Sequence, residues 1–190
     1  MKINNRFNFV CAALLLALFA LACSSSDETK QANELVAKAN KSILAANESS
    51  QKAGKRISEM EEMVGKIANQ SDLDKTRDIA KDCKDIFGKA RDSFKEASES
   101  FSGAGKLKIH EKFKEYAETK AAELGKRSDM MTAGIDEAQA MIDSENPTEY
   151  QGKLKPIVER FNKLKGEAEE LGKKADKIQA DNKDVFAEVK

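Results

Sequence analysis

The stretch LDKTRDIAKDCKDIFGKARDSFKEASESF, Leu73 to Phe101, has the most regular pattern in the chain and decides its fold. Apolar or small residues recur along it at alternating spacings of three and four, the heptad pattern of a helix packed against other helices. They are Leu73, Thr76, Ala80, Cys83, Phe87, Ala90, Phe94, Ala97 and Phe101. Ile79 and Ile86 widen this stripe, so we expect the helix to contact a second neighbour.

The same spacing continues on both sides of this helix. It predicts four helices, over residues 27–69, 72–101, 106–143 and 147–188. In the third segment two successive steps of four interrupt the heptads around Ala117, which predicts locally irregular packing.

Helix boundaries are marked by capping residues and glycines. Ser71 followed three residues later by Asp74 predicts the start of the second helix, and residues 102–105, Ser-Gly-Ala-Gly, predict its end. The run Asn-Pro-Thr-Glu at 146–149 predicts the start of the fourth. Pro156 lies inside that fourth segment and predicts a kink or a late start.

Four segments of similar length with short breaks favour an all-α fold over residues 29–190. The specific prediction is an antiparallel up-down-up-down four-helix bundle with coiled-coil-like heptad seams. The main alternative is a long oligomeric coiled coil. Three helix breaks and the wide stripe of the second helix favour the intramolecular bundle, and the sequence leaves the oligomeric state open.

Glycines inside the predicted helices suggest a slender and fairly mobile bundle. Each glycine in an exposed helix interior costs about 1 kcal/mol relative to alanine. The seven are Gly54, Gly65, Gly88, Gly125, Gly134, Gly166 and Gly172.

Composition agrees with a helical domain. The 190 residues include two prolines and no tryptophan, and 33 basic side chains balance 33 acidic ones. This even charge, with the two signs interspersed, gives no general electrostatic reason to expect a nucleic acid or an anionic membrane surface as a partner.

The N-terminal run FVCAALLLALFALACSSS, Phe9 to Ser26, follows the basic residues Lys2 and Arg6 and has the layout of an export signal. Its uninterrupted apolar part is too short to cross a bilayer core of about 30 Å comfortably. We therefore predict a signal peptide over residues 1–22 that is cleaved between Ala22 and Cys23.

The sequence Ala20-Leu21-Ala22-Cys23 resembles the lipobox of bacterial lipoproteins, and this resemblance covers only residues 1–26. The family prefers leucine where Ala20 stands and a small residue where Leu21 stands. The resemblance implies diacylation of the Cys23 thiol, so residues 23–28 would be an acylated cysteine and a serine-rich tether. Ser24 implies, by the sorting rule of enteric bacteria, an outer-membrane protein facing the periplasm rather than the inner membrane. The alternative is an ordinary secretory signal.

Catalytic and metal-binding patterns are weak. His110-Glu111 starts like the zinc motif H-E-x-x-H, but Lys114 stands where the second histidine is needed. Cys83 lies on the small-residue line of its helix and is interpreted as a buried packing residue. We expect no enzyme, no cofactor and no metal site.

Folding the four helices up and down places most methionines toward the end of the bundle away from Cys23. Methionine clusters suit adaptable binding surfaces, so they form a candidate partner or ligand surface. The alternative is that they fill a tapering core. The candidate residues are Met60, Met63, Met130, Met131 and Met141. The opposite end is expected to collect Phe94, Phe101, Phe113, Tyr116 and Phe186.

Together these patterns predict a non-enzymatic, lipid-anchored protein of the cell envelope. Its bundle would act as a spacer or as a module that binds a protein partner, and its acyl chains would hold it at the membrane. The alternative is a carrier that opens its bundle around an apolar ligand or lipid.

Overall fold

The computed structural model describes residues 27–187. They form four long helices and one short helix, and this part of the chain contains no strand. The bounds are α1 Asp27–Val64, α2 Gln70–Gly105, α3 Glu111–Ile142, α4 Pro147–Asp181 and α5 Lys183–Ala187. The predicted all-α fold of four packed helices is confirmed.

The heptad seams of α1 and α2 form the main core. All the α2 stripe residues named above, from Leu73 to Phe101, are buried. The residues of α1 at the same 3-4 spacing are buried too, namely Val36, Ala39, Ile43, Ala46, Ser50, Ala53, Ile57, Met60 and Val64. Burying one large apolar side chain contributes about 1.5–3 kcal/mol, so these two stripes supply a large share of the stability.

Consecutive helices run antiparallel. Lys38 pairs with Glu96 at 3.2 Å, whereas Arg56, further along α1, pairs with Asp82, earlier in α2. The same inverted order relates α2 to α3 and α3 to α4. The contacts that show it are Lys84–Gln139 and Ser98–Ala121 for the first pair of helices, and Asp136–Arg160 and Lys126–Glu167 for the second.

Helix α4 lies at the edge of this arrangement. Its close backbone approaches are mainly to α3, with a few to α5. The apolar residues of α4 at 3-4 spacing form a seam that is only partly covered: Phe161, Ala168, Ala175 and Ile178 are buried. Four other seam residues are half-buried, namely Leu154, Ile157, Leu164 and Leu171.

The break between α1 and α2 differs from the prediction. Helix α1 ends at Val64, before Gly65, and not near residue 69. The cap of α2 is Asn69, whose side chain accepts a hydrogen bond from the Asp72 backbone N–H at 3.1 Å. The prediction of Ser71 as the cap was wrong by two residues, because asparagine competes equally well for this position.

The glycine-rich end of α2 was also misplaced. The helix continues to Gly105, and α3 begins at Glu111 rather than near residue 106. A Cβ at Gly105 would lie 3.2 Å from Glu118 Cγ, so close packing against α3 offsets the low helix propensity of glycine here. His110 caps α3, and its Nδ1 accepts from the Lys112 N–H at 3.2 Å.

The predicted start of α4 is confirmed. Asn146 accepts from the Glu149 backbone N–H at 3.0 Å, and Pro147 is the first helical residue. Pro156 lies inside the helix, so the late start does not occur.

The C-terminal end of α4 differs from the prediction. The helix stops at Asp181 because Asn182 leaves helical geometry and donates its side-chain amide to the Ile178 carbonyl at 2.7 Å. The short helix α5 then follows, so the predicted single helix over 147–188 was wrong at this end.

Candidate functional site

The predicted lipidation residue, Cys23, and the predicted cleavage bond between Ala22 and Cys23 lie outside the described residues. What the structure adds is the position of the first helix. Helix α1 is described from Asp27, four positions after Cys23. Any anchor on Cys23 would therefore be joined to the bundle through residues 24–26 alone.

The five methionines of the candidate partner surface are mostly interior. Met60, Met130, Met131 and Met141 are buried, and Met63 is half-buried. The Ser50 hydroxyl donates to Met131 Sδ at 3.4 Å, which ties this methionine to α1. These residues fill the core, as the alternative interpretation predicted, and do not form an exposed surface.

A charged cluster in α3 is buried, which the sequence reasoning did not predict. Lys120 Nζ lies 2.6 Å from one carboxylate oxygen of Glu123, and Arg127 Nη2 lies 2.8 Å from the other. The side chains of Lys120 and Glu123 are only 7% and 2% exposed. We call Lys120, Glu123 and Arg127 the charged triad. All its members belong to one helix, so its ion pairs do not depend on a neighbouring helix.

Helix α4 leaves room for this triad. A Cβ placed on Gly172 would lie 3.4 Å from the Glu123 carboxylate carbon. Because glycine has no side chain, α4 can approach the carboxylate closely at this position.

A second buried polar contact joins α3 to α4. The Tyr150 hydroxyl donates to a carboxylate oxygen of Glu137 at 3.1 Å, and both residues are buried. Burial, and then the nearby negative charge of Glu137, raise the pKa of Tyr150 well above its usual range. The hydroxyl therefore stays protonated and serves as a donor.

Cys83 is buried beside this region, as predicted from its place on the small-residue line. Burial raises the pKa of its thiol to about 12, against a smaller opposing effect of Arg56. The thiolate is the nucleophilic form of cysteine, so this thiol is poorly suited to nucleophilic chemistry near neutral pH.

A small cavity lies where α1, α3 and α4 meet. Glu61, Glu137 and Phe161 are among its lining residues, and its volume is about 10 Å³. That is space for about one water molecule and not for an organic ligand.

The sequence analysis did not predict that these charges are buried, although their spacing contains a signal. They belong to a second 3-4 stripe on α3, which comprises Lys120, Glu123, Arg127, Met130, Gly134, Glu137 and Met141. The heptad spacing predicted one stripe on this helix, which passes through Ala117 and does not include these residues. Charged residues in a heptad row are normally solvated, so spacing alone did not identify this row as interior.

Four of the five aromatic residues predicted to lie at the end where α1 begins contact one another there; the fifth, Phe94, is buried in the α2 stripe. The ring centroid of Tyr116 lies 6.1 Å from that of Phe101 and 5.1 Å from that of Phe186. Phe113 completes the group at 6.0 Å from Phe186. Helix α5 thus covers the end of the bundle at which α1 begins.

Residues 27–187 contain no group of three histidine, cysteine, aspartate or glutamate side chains placed to hold a metal ion. None of the described helices has the length and apolarity needed to cross a membrane. No protein-family model matches the chain, and comparison with curated proteins and with solved structures finds no match.

Proposed function

We propose that this chain is a non-enzymatic, lipid-anchored protein of the cell envelope whose helical bundle serves as a spacer and protein-interaction module. The observation that carries the proposal is the short distance along the chain between Cys23 and Asp27. Four residue steps span at most about 15 Å when fully extended. Acyl chains on Cys23 would therefore hold the bundle close to the membrane.

The dimensions of the bundle suit a spacer. Helix α1 has 38 residues, which at 1.5 Å per residue is a length of about 57 Å. A bundle standing on the anchor would present its outer surfaces across that distance to a partner in the envelope. We favour the outer membrane, facing the periplasm, as its location.

Mass spectrometry of the mature protein tests the anchor. We expect Cys23 to be the N-terminal residue and to carry acyl chains, and we expect the protein to sediment with membranes. Cys23→Ser should lose the acyl mass. Cys83→Ser is the matched control and should keep both the acyl mass and the sedimentation. An N-terminal Cys23 without lipid would contradict the proposal.

Cross-linking in intact cells tests the interaction role. Sites on the outer faces of α1 and α4 should give the same cross-linked partner in repeated experiments. If the bundle cross-links only to lipids and to random abundant proteins, the interaction role is wrong and only the spacer role remains.

The carrier alternative is favoured by one observation, the partly covered seam of α4. The cavity between α1, α3 and α4 holds about one water, so an apolar ligand would fit at this place only if α4 moved away from α3. A carrier should release lipid on solvent extraction after purification, and added ligand should raise its melting temperature. Protein that carries no extractable lipid, and whose melting temperature added lipid leaves unchanged, would remove this alternative.

A further inference from the structure

The end of the bundle where α1 begins carries an exposed basic connection. We call it the Asp27 end, formed by the first turn of α1, the α2–α3 connection at residues 106–110, and α5. The Glu28 carboxylate accepts a hydrogen bond from the Lys108 backbone N–H, which fixes the connection beside the start of α1. Residues 106–110 therefore lie close to whatever holds Cys23.

Alternate residues of this connection have different environments. Leu107 and Ile109 are half-buried and pack against the core, whereas Lys106, Lys108 and His110 are exposed. The two apolar side chains hold the backbone on the bundle, and the two lysines stand in solvent beside them.

Several lysines at this end are not neutralised within the described residues. Lys112 and Lys114 form ion pairs with Glu115 and Glu111 at 2.8 and 2.7 Å. No such ion pair forms at Lys106 or Lys108, nor at the exposed Lys183 of α5, within residues 27–187. These three ammonium groups are the free cations on which the inference rests.

The connections at the two ends of the bundle differ in charge. The α2–α3 connection contains Lys106 and Lys108 and no acidic residue, whereas the α3–α4 connection at the other end contains Asp143 and Glu145 and no basic residue. The first turns of the helices are acidic at both ends, with Asp27 and Glu28 in α1 and Asp72 in α2. A negatively charged surface would attract the free lysines of the Asp27 end and repel the acidic connection of the other end.

We propose that the Asp27 end rests on a membrane surface of anionic phospholipids through Lys106, Lys108 and Lys183. This inference relies on the proposed anchor at Cys23, which would bring these lysines to the bilayer. Each lysine near an anionic surface strengthens binding by about fivefold, and the attraction fades within a Debye length of about 8 Å. Only the Asp27 end lies within that range, so the contacts orient the bundle upright on its anchor.

Amine footprinting of the purified native protein tests the contact. The protein is reconstituted in vesicles of phosphatidylethanolamine and phosphatidylglycerol, in vesicles of phosphatidylcholine, and in detergent, and lysine acetylation rates are measured by mass spectrometry. We expect acetylation of Lys106, Lys108 and Lys183 to slow by about fivefold only in the phosphatidylglycerol vesicles. Lys66 and Lys75, toward the other end, should react equally in all three.

Two double variants distinguish a contact with anionic lipid from protection caused merely by the nearby vesicle surface. In Lys106→Gln/Lys108→Gln the protection of Lys183 by anionic vesicles should be lost. Lys66→Gln/Lys75→Gln is the matched control and should keep it. Both pairs are exposed, so urea unfolding should show unchanged stability. Equal protection of Lys183 in the two variants would overturn the inference.

The mass of Cys23 distinguishes failure of this inference from failure of the proposed function. If Cys23 is acylated but the footprints in anionic and neutral vesicles agree, the lipid contact is wrong and the anchor stands. If Cys23 carries no lipid, the protein as the cell makes it is floated with phosphatidylglycerol vesicles at low salt. Protein that floats with the vesicles would support the lipid contact without the anchor. Protein that does not float would overturn both the lipid contact and the proposed anchor.

Discussion

One close contact between α2 and α3 depends on a glycine. A Cβ built on Gly134 of α3 would lie 2.7 Å from two ring carbons of Phe87 in α2, nearer than real Cβ atoms approach. The phenyl ring thus occupies the space where any other residue would carry its side chain. Because Phe87 is completely buried, the ring cannot move outward to make room.

We predict that Gly134→Ala destabilises the bundle by about 1–3 kcal/mol, the usual cost of overpacking a well-packed core. Gly88→Ala is the matched control, since no atom lies within 4 Å of a Cβ at that position. It should stabilise the protein by about 0.4–1 kcal/mol, because alanine restricts the unfolded chain. Urea unfolding measures both, and equal shifts of the two midpoints would show that the contact with Phe87 is unimportant.

These residues also show what the sequence could predict. The heptad spacing identified the buried seams of α1 and α2, because apolar and small residues repeat there without interruption. From the sequence alone, Gly134 was one of seven glycines expected only to weaken the helices. A glycine can weaken a helix, or it can allow a neighbouring side chain to pack closely. The outcome depends on the residue across the interface, here Phe87, and the spacing within one helix does not identify that residue.

At the scale of elements, α4 is held differently from the other helices. It packs mainly on α3, and it does so over the charged triad. Desolvating ions is costly, and the ion pairs of the triad lie within α3 and persist when α4 leaves. Separation of α4 from α3 therefore returns the triad to water without breaking its ion pairs, which lowers the free energy of opening.

We predict that α4 exchanges its amide hydrogens faster than α1 and α2, through opening of the α3–α4 interface. Hydrogen exchange followed by mass spectrometry measures this by helix. The expectation from the glycines was a bundle that is mobile throughout. Uniformly slow exchange across all four long helices would contradict both ideas.

Substitutions in the triad test its energetic role. Glu123→Gln leaves the buried Lys120 and the half-buried Arg127 without a carboxylate, and should cost about 3 kcal/mol of stability. Replacing all three together, Lys120→Met, Glu123→Leu and Arg127→Leu, should be neutral or stabilising and should slow exchange in α4. Urea unfolding gives the first comparison. A triple variant that loses as much stability as the single one would show that the triad stabilises the fold.

Element boundaries were predicted unevenly for a physical reason. The α4 start was correct because Asn146, Pro147 and Glu149 act together in local sequence. The α2 end was missed because Gly105 is helical through its packing against Glu118 of α3, which is a tertiary effect. Similarly, the buried Glu123 was missed because its environment depends on Gly172, a residue 49 positions away.

At the scale of the whole molecule, three weakly acidic groups are buried on three different helices. Burial raises the pKa of the Cys83 thiol in α2 to about 12. It also raises the pKa values of Tyr116 in α3 and Tyr150 in α4 above their usual range. In each case the folded state holds its proton more tightly than the unfolded state does.

The bundle should therefore lose stability at alkaline pH. A group with a raised folded pKa contributes its full stabilisation below its unfolded pKa, which for cysteine is about 9. That contribution declines as the pH rises toward the folded value of about 12, because the unfolded chain releases the proton first.

We expect the urea midpoint to fall above about pH 9. In Cys83→Ala, which keeps a small apolar side chain at this position, the midpoint should fall less steeply between pH 9 and 12. Parallel curves for the two proteins would show that the thiol ionises equally easily in the folded and unfolded states, and that Cys83 is more accessible than its burial in α2 indicates.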